Sequence, residues 1–300
     1  MTVDERKIWF NVANTDGLGP AAAQKIARYL EQQRCGAEML LDLEIDVLTR
    51  DVGLSASVAL ALAEQLRQPV ELPNELDEVE LLTPNDEQFP NSRFTTANPP
   101  LTPVLWAMGN RSLLAGNAPA VAIAGSRDAS DEILERARDI ATQLSQSGWL
   151  VVSGLAQGVD SAAHEGALRG RAGTIGVLAS GIANRSRSWM PDELDSMCIV
   201  SQFQPHEPWS GPRAMQRNST IASLADRVLV AAAGESGGSW EMAQLCLKRR
   251  KPLFVLDLDE SVAKGNRKLI RAGAIPIGSD PNEFDRLIGE LPGQKSMFGE

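Results

Sequence analysis

Three cysteines, two histidines and a single tyrosine in 300 residues leave several chemistries short of material. Cys35, Cys198 and Cys246 are odd in number and far apart, which excludes a disulfide framework and a thiolate zinc site, and they read as buried thiols. His164 and His206 are isolated from one another, so no metal cluster is expected, and no motif calls for a cofactor. No apolar run approaches the roughly 18 residues of a membrane span. The opening MTVDERKIWF mixes acids and bases, so the expectation is a soluble, cytoplasmic protein with no membrane partner. Positive charge is also scarce: 29 Lys and Arg face 39 Asp and Glu, a net charge of −10. That balance opposes a phosphate-rich ligand unless the bases are clustered.

The charge is unevenly spread. Residues 1–80 hold fifteen acids against seven bases, whereas residues 119–285 hold twenty against eighteen. In the second region the bases come in groups: Arg185 with Arg187, Arg213 with Arg217, Lys248 to Lys251, and Lys264, Arg267, Lys268 and Arg271. A local basic groove is compatible with that spacing.

Hydropathy patterning divides the chain further. Over residues 1–70, AAAQKIARYLEQQ and SASVALALAEQLRQ carry apolar residues at helical spacing, each behind a glycine turn, which predicts a small helical domain of helix-hairpin-helix or sterile-alpha-motif type. Residues 71–118, rich in Pro and Asn, read as a linker or irregular extension packed on the core. From 119 to 288, the runs AVAIAG, WLVVSG, GTIGVLA, CIVSQF, RVLVAAA, PLFVLD and GAIPI alternate with helical stretches such as DEILERARDIATQLSQ. That alternation predicts an α/β, Rossmann-like parallel sheet with helices on both faces. Residues 289–300 read as a flexible tail.

In such sheets ligands bind beyond the carboxyl ends of the strands. Two loops occupy that position. Gly125-Ser126-Arg127 offers close backbone approach, a hydroxyl and a planar guanidinium suited to phosphate. Ser153-Gly154-Leu155-Ala156-Gln157-Gly158 precedes Asp160, a helix-start residue. Ser153, Asp160 and His164 also permit a nucleophile triad on paper, but no nucleophile-elbow spacing surrounds Ser153, so no catalytic residue is expected.

At these residues a family resemblance becomes specific. SGLAQGVDSAAHEGAL is similar to the Ser-Gly-Leu-Ala-x-Gly-Ile-Asp-x-x-Ala-His-x-x-Ala-Leu pattern of the DprA/Smf family, following a Gly-Ser-Arg strand end. Arg217-Asn218-x-x-Ile221-Ala222, the GESGGSWEMA turn and GNRKLIRAGA resemble later blocks in order, and Phe89-Pro90 and Pro99-Pro100 its lead-in. The resemblance spans about residues 80–280. It implies a dimeric, Rossmann-like protein that binds single-stranded DNA and hands it to the RecA recombinase during transformation. It further implies a phosphate pocket built from Gly125, Ser126, Arg127, Ser153, Gly154, Leu155, Gly158, Arg217, Asn218, Gly237, Gly238 and Ser239, with Arg185, Arg187, Trp240 and Asn266 as auxiliary DNA contacts. The chain departs from the family where Gln157 replaces an Arg and where Met190-Pro191-Asp192 replaces Tyr-Pro-Lys. Trp189, Trp209 and Trp240 are candidate faces for base stacking. The winged-helix domain with which the family often ends is not expected here.

Two other readings remain open at this point. Gly237-Gly238 followed by Glu241 resembles the glycine-plus-acid turn of nucleotide-binding or nucleoside-monophosphate-cleaving proteins, and Gln157 with Asp192 fits a pocket that has lost its ligand. Separately, Gln294-Lys295-Ser296-Met297-Phe298 resembles the pentapeptide that binds the bacterial sliding clamp, with Gln294, Met297 and Phe298 as the anchoring side chains.

Overall fold

The computed structural model describes residues 4–73, 76, 78–116, 118–184, 194–278 and 281–289. The front of the chain forms α1 (Glu5–Ala13), α2 (Pro20–Gln33), α3 (Ile45–Arg50) and α4 (Ala56–Leu66). Pro20 opens α2 at a position where its missing N–H costs nothing, and Arg34, at φ 56°, closes it in the left-handed region. Then follow β1 (Glu80–Leu82), α5 (Asn91–Thr96), β2 (Leu105–Gly109) and α6 (Ser112–Ala115).

The larger unit alternates β3 (Ala120–Ala124), α7 (Asp131–Gln146), β4 (Leu150–Gly154), α8 (Val159–Ala167), β5 (Thr174–Val177), β6 (Met197–Ser201), α9 (Gly211–Leu224), β7 (Arg227–Val230), α10 (Gly238–Arg249), β8 (Leu253–Leu256), α11 (Lys264–Arg271), β9 (Ile275–Ile277) and α12 (Pro281–Ile288). All seven apolar runs singled out in the sequence are strands, β3 to β9, and they pair parallel throughout. The sheet order is β1-β2-β6-β5-β4-β3-β7-β8-β9. The fold is Rossmann-like, and its order reverses at β3, which lies between β4 and β7.

Why these runs are continuously apolar follows from the pleat. Ala120, Ala122 and Ala124 face one hydrophobic core, while Val121 and Ile123 face the other. The same alternation divides Val228 and Val230 from Leu229, and Leu253 and Val255 from Phe254 and Leu256. Both faces are therefore covered. Helices α7 and α8 close one face through Ile133, Ile140, Leu144 and Val159; α9 and α10 close the other through Ile221, Leu224, Met242 and Cys246.

The stretch expected to be an irregular extension adds two strands to the sheet. β2 runs antiparallel to β6, and β1 antiparallel to β2. It also ties the molecule together: Arg93 holds Asp226 with two hydrogen bonds of 3.0 and 3.1 Å, and Asp226 accepts a third from the Ala120 N–H at 2.8 Å. The helical front joins the same core. Trp9 meets Phe94 edge-on at 5.6 Å and donates its indole N–H to Asn85 (3.0 Å), and Gln24 donates to the carbonyls of Phe94 and Ala97.

Two sequence readings require correction here. Cys198 and Cys246 are buried, but Cys35 is exposed, because it sits just past the left-handed end of α2. Asn266, expected among the DNA contacts, is fully buried: its Oδ1 accepts from the Ala233 N–H, and its Nδ2 donates to the carbonyls of Ala231 and Leu256, each at 2.9 Å. Together those bonds tie α11 to the loop after β7 and to the end of β8. Asn266→Ala would strand three buried backbone groups, a loss of about 3 kcal/mol. Urea unfolding of the variant checks this, and a loss below about 1 kcal/mol would contradict the assignment.

Candidate nucleic-acid interface

The carboxyl ends of β3, β4, β5 and β7 open onto a groove with two connected parts. One, of about 390 Å³, is bounded by Gly125, Ser126 and Arg127 after β3, by Arg217 and Asn218 of α9, and by Gly237, Gly238 and Ser239 before and within α10. The other, of about 380 Å³, is bounded by Leu155, Ala156 and Gln157 after β4 and by Leu178 to Ser180 after β5. Arg127, Ala156, Trp209 and Arg217 line both.

Glycine is structurally required in these loops. A Cβ at Gly154, the last residue of β4, would overlap the Arg217 guanidinium and approach Asp160 Oδ2 to 2.5 Å. Gly158 has φ +83°, and a side chain there would meet the backbone of Ser126 and Arg127 at 2.5 to 2.7 Å. The two loops are thereby packed one on the other, backbone against backbone. Helices α8 and α10 both begin at the groove behind a glycine with no side-chain cap. Their first-turn N–H groups and helix dipoles make this end of the sheet favourable to anions despite the acidic chain.

Beneath the groove lies a buried ion pair. Arg217 Nη1 donates to the Val177 carbonyl at 3.0 Å and stands 4.0 Å from Asp160 Oδ2. Its Nε is buried with no hydrogen-bond partner among the described residues. Burial raises the Asp160 carboxyl from its ordinary 3.8 to about 6, against the opposing pull of Arg217. Burial likewise lowers the pKa of Arg217, with Asp160 opposing. Above this pair Arg127 lies 5.9 Å from the centroid of the Trp209 ring, and Trp209 is 56% exposed. Asn218 donates to the Gly238 carbonyl (3.1 Å), fixing the turn before α10. Arg213 of the same helix is paired with Glu207 at 2.6 Å, and Lys268 and Arg267 with Glu235 and Asp257, so these three of the grouped bases are each held by an acid.

The conceivable triad is not assembled. The Ser153 hydroxyl is buried and donates to the Ile123 carbonyl at 2.6 Å. His164 Nε2 donates to the Gly154 carbonyl at 3.1 Å, while Nδ1 shares a 2.8 Å hydrogen bond with the Thr174 hydroxyl. Burial pushes the imidazole down to about 4, so it is neutral at physiological pH. Both residues brace the strand ends from below.

Of the residues singled out in the sequence, Gly125, Ser126, Arg127, Arg217, Asn218, Gly237, Gly238 and Ser239 converge on one wall-to-wall groove, with Leu155 in its second part. Ser153, Gly154 and Gly158 shape it without lining it. Trp240 does not reach it: its ring is half-buried against the core, and Trp209 occupies the exposed position instead. Glu241, the acid of the nucleotide-cleaving alternative, is exposed and outside the groove lining. Arg185 and Arg187, with Trp189, Pro191 and Asp192, lie outside the described residues, as do Gln294, Met297 and Phe298. The role of Met215 in the groove wall carried no sequence signal; that of Trp209 did, since Gly211-Pro212 starts a helix and leaves the residue before its Ser210 cap outside it.

Comparison with known proteins places this geometry. The chain is 28% identical to the DNA processing protein DprA of Bacillus subtilis over 225 residues, 72% of this chain and 72% of that protein. It is 30% identical to Protein Smf of Synechocystis over 221 residues, 71% of this chain but only 55% of that protein. Among solved structures, DprA of Streptococcus pneumoniae shares the fold at a TM-score of 0.71 and 22% identity, covering 97% of this chain and 100% of the other. DNA processing protein A of Helicobacter pylori, solved in a study of its single-stranded DNA binding mode, aligns with a TM-score of 0.60 and 25% identity over 70% of this chain and 96% of the other. The family model of DNA recombination-mediator protein A matches residues 80–287, from the first strand to the last helix of the sheet, and the protein belongs to that family.

Proposed function

We propose that this protein binds single-stranded DNA along the carboxyl edge of its sheet and, as a dimer, presents the strand to a RecA-type recombinase. The observation that carries the reading is the joint position of Arg127, Arg217 and the exposed Trp209 on one groove. Two guanidinium groups and two uncapped helix starts suit phosphates. An exposed indole suits the unpaired face of a base. Binding of a single strand fits the family to which the chain belongs. The second reading, a nucleotide site, is favoured by the groove part of about 390 Å³, which is of a size to take a small molecule. Turnover of a nucleoside monophosphate by the intact protein would support it. The tail motif keeps its own proposal: loss of residues 294–300 should abolish binding to the replicative clamp, and equal binding by the truncated and intact chains would dismiss it.

The two contacts have separable signatures. Arg127→Ala should lower the slope of log affinity against log salt by about 0.7 for single-stranded DNA, because one phosphate contact is lost. Trp209→Ala should weaken binding roughly tenfold with the slope unchanged, because stacking releases no counterions. Anisotropy titrations across a salt series measure both, and an unchanged slope in the first variant would remove Arg127 from the interface.

Asp160 adds a pH dependence. Its carboxyl is raised on folding from 3.8 to about 6, so its favourable contribution is full below pH 3.8 and is lost as pH rises through 6. The ionised group therefore lowers stability by about 3 kcal/mol at neutral pH relative to acid. Protonation also removes a negative charge from beneath Arg127 and Arg217. The intact protein should bind single strands more tightly at pH 5 than at pH 7.5, and Asp160→Asn should flatten that step. An equal pH response in the two proteins would show that Asp160 does not set it.

A further inference from the structure

A cavity of about 670 Å³ lies on the opposite side of α9 from the groove. Its walls come from both units: Ala13, Asn14 and Pro20 of the helical front, Pro103 and Trp106 of the lead-in, Gln202 to Gln204 after β6, and Gln216 and Thr220 of α9. Helix α9 is thus shared. Arg217, Asn218 and Ile221 face the groove, and Arg213, Gln216, Ser219 and Thr220 face this cavity.

Both openings lie on the same edge of the sheet. Gln202 follows the carboxyl end of β6, and β6 stands three places from β3 in the sheet order. At about 4.8 Å per strand the two sites are roughly 14 Å apart across the sheet. A strand laid along this edge passes from one to the other.

The chemistry changes on the way. Among the described residues the cation of the cavity lining is Arg213, and it is held by Glu207 at 2.6 Å. Neutral amides and apolar faces stand beside it. The Thr220 hydroxyl donates to Gln202 Oε1, which leaves the Gln202 NH₂ to donate. Gln204 Nε2 donates to Asn14 Oδ1 at 3.2 Å, which leaves Gln204 Oε1 to accept. The exposed Gln216 offers both. Pro103 and the buried Phe203, over whose ring the Arg213 guanidinium lies at 5.9 Å, add apolar wall. Mixed donors and acceptors between apolar faces match the edge and face of a base, and the volume falls in the range of small-ligand sites.

We propose that this interdomain cavity receives one unstacked base of the strand whose phosphates occupy the groove. The proposal rests on the single-strand reading above and adds a second, base-binding site to it, built partly by the helical front. It also gives that front a role in the interface that its acidity alone would deny it.

The test uses the full chain and the shortest oligonucleotide bound at full affinity, which cannot slide. A single abasic site is walked along it, and binding is followed by anisotropy. The expected result is one position whose abasic substitution weakens binding roughly tenfold. Gln216→Trp, which obstructs the mouth, should lose a similar factor on the unmodified strand, keep its salt slope, and become indifferent to the abasic site at that position. Gln202→Ala, which only removes a donor, should show the same trend more weakly and serves if the bulkier variant misfolds. A flat abasic scan, or variants that retain the positional sensitivity, would overturn the proposal while leaving the groove reading intact. If no oligonucleotide binds, or binding is indifferent to Arg127→Ala, the groove reading itself fails.

Discussion

Arg217 can lie under the strand ends only because Gly154 has no side chain, and much of the groove is arranged around that one contact. The guanidinium enters where β4 finishes, bonds the last carbonyl of β5 and faces Asp160 at the start of α8. It therefore joins three consecutive elements of the sheet edge to α9. A buried Arg beside a buried Asp is costly to desolvate, and a pair at 4.0 Å offsets that cost incompletely, as the raised carboxyl shows. An arrangement that sacrifices stability in this way is expected where charge must be held ready for a ligand rather than used to hold the fold.

The topology explains why the ready charge is found at this edge. The order reverses at β3, so the loops after β3 and β7 diverge to opposite sides and leave a crevice between them. Gly125 to Arg127 and Gly237 to Ser239 are the lips of that crevice. Among the described residues, none of the acidic front lines it. Net charge describes the whole molecule, whereas binding follows the local field of a few oriented groups.

Much of this was legible in the sequence for definite reasons. Strands buried on both faces are apolar at most positions, so all seven parallel strands stood out; the glycine loops stood out because backbone packing tolerates no side chain. The lead-in strands did not. Glu80–Leu82 has only three residues, and Leu105–Gly109 follows a run of prolines that reads as a loop. Asn266 was misassigned because a polar residue in a basic helix suggests a surface contact, while only tertiary structure shows its three hydrogen bonds to be internal. The pairing of Arg213, Lys268 and Arg267 was hidden for a similar reason: their acidic partners, Glu207, Glu235 and Asp257, come from other segments, and pairing across segments has no local signature.

The central claim is that this edge recognises an unpaired strand through charge and an exposed aromatic face together. Parallel anisotropy titrations with a single strand and with its own duplex, at one fixed salt concentration, test it most directly. A marked preference for the single strand is the predicted result, since a duplex hides the base faces that Trp209 would stack on. Equal affinity for the two would contradict the account, leaving a purely electrostatic surface in its place.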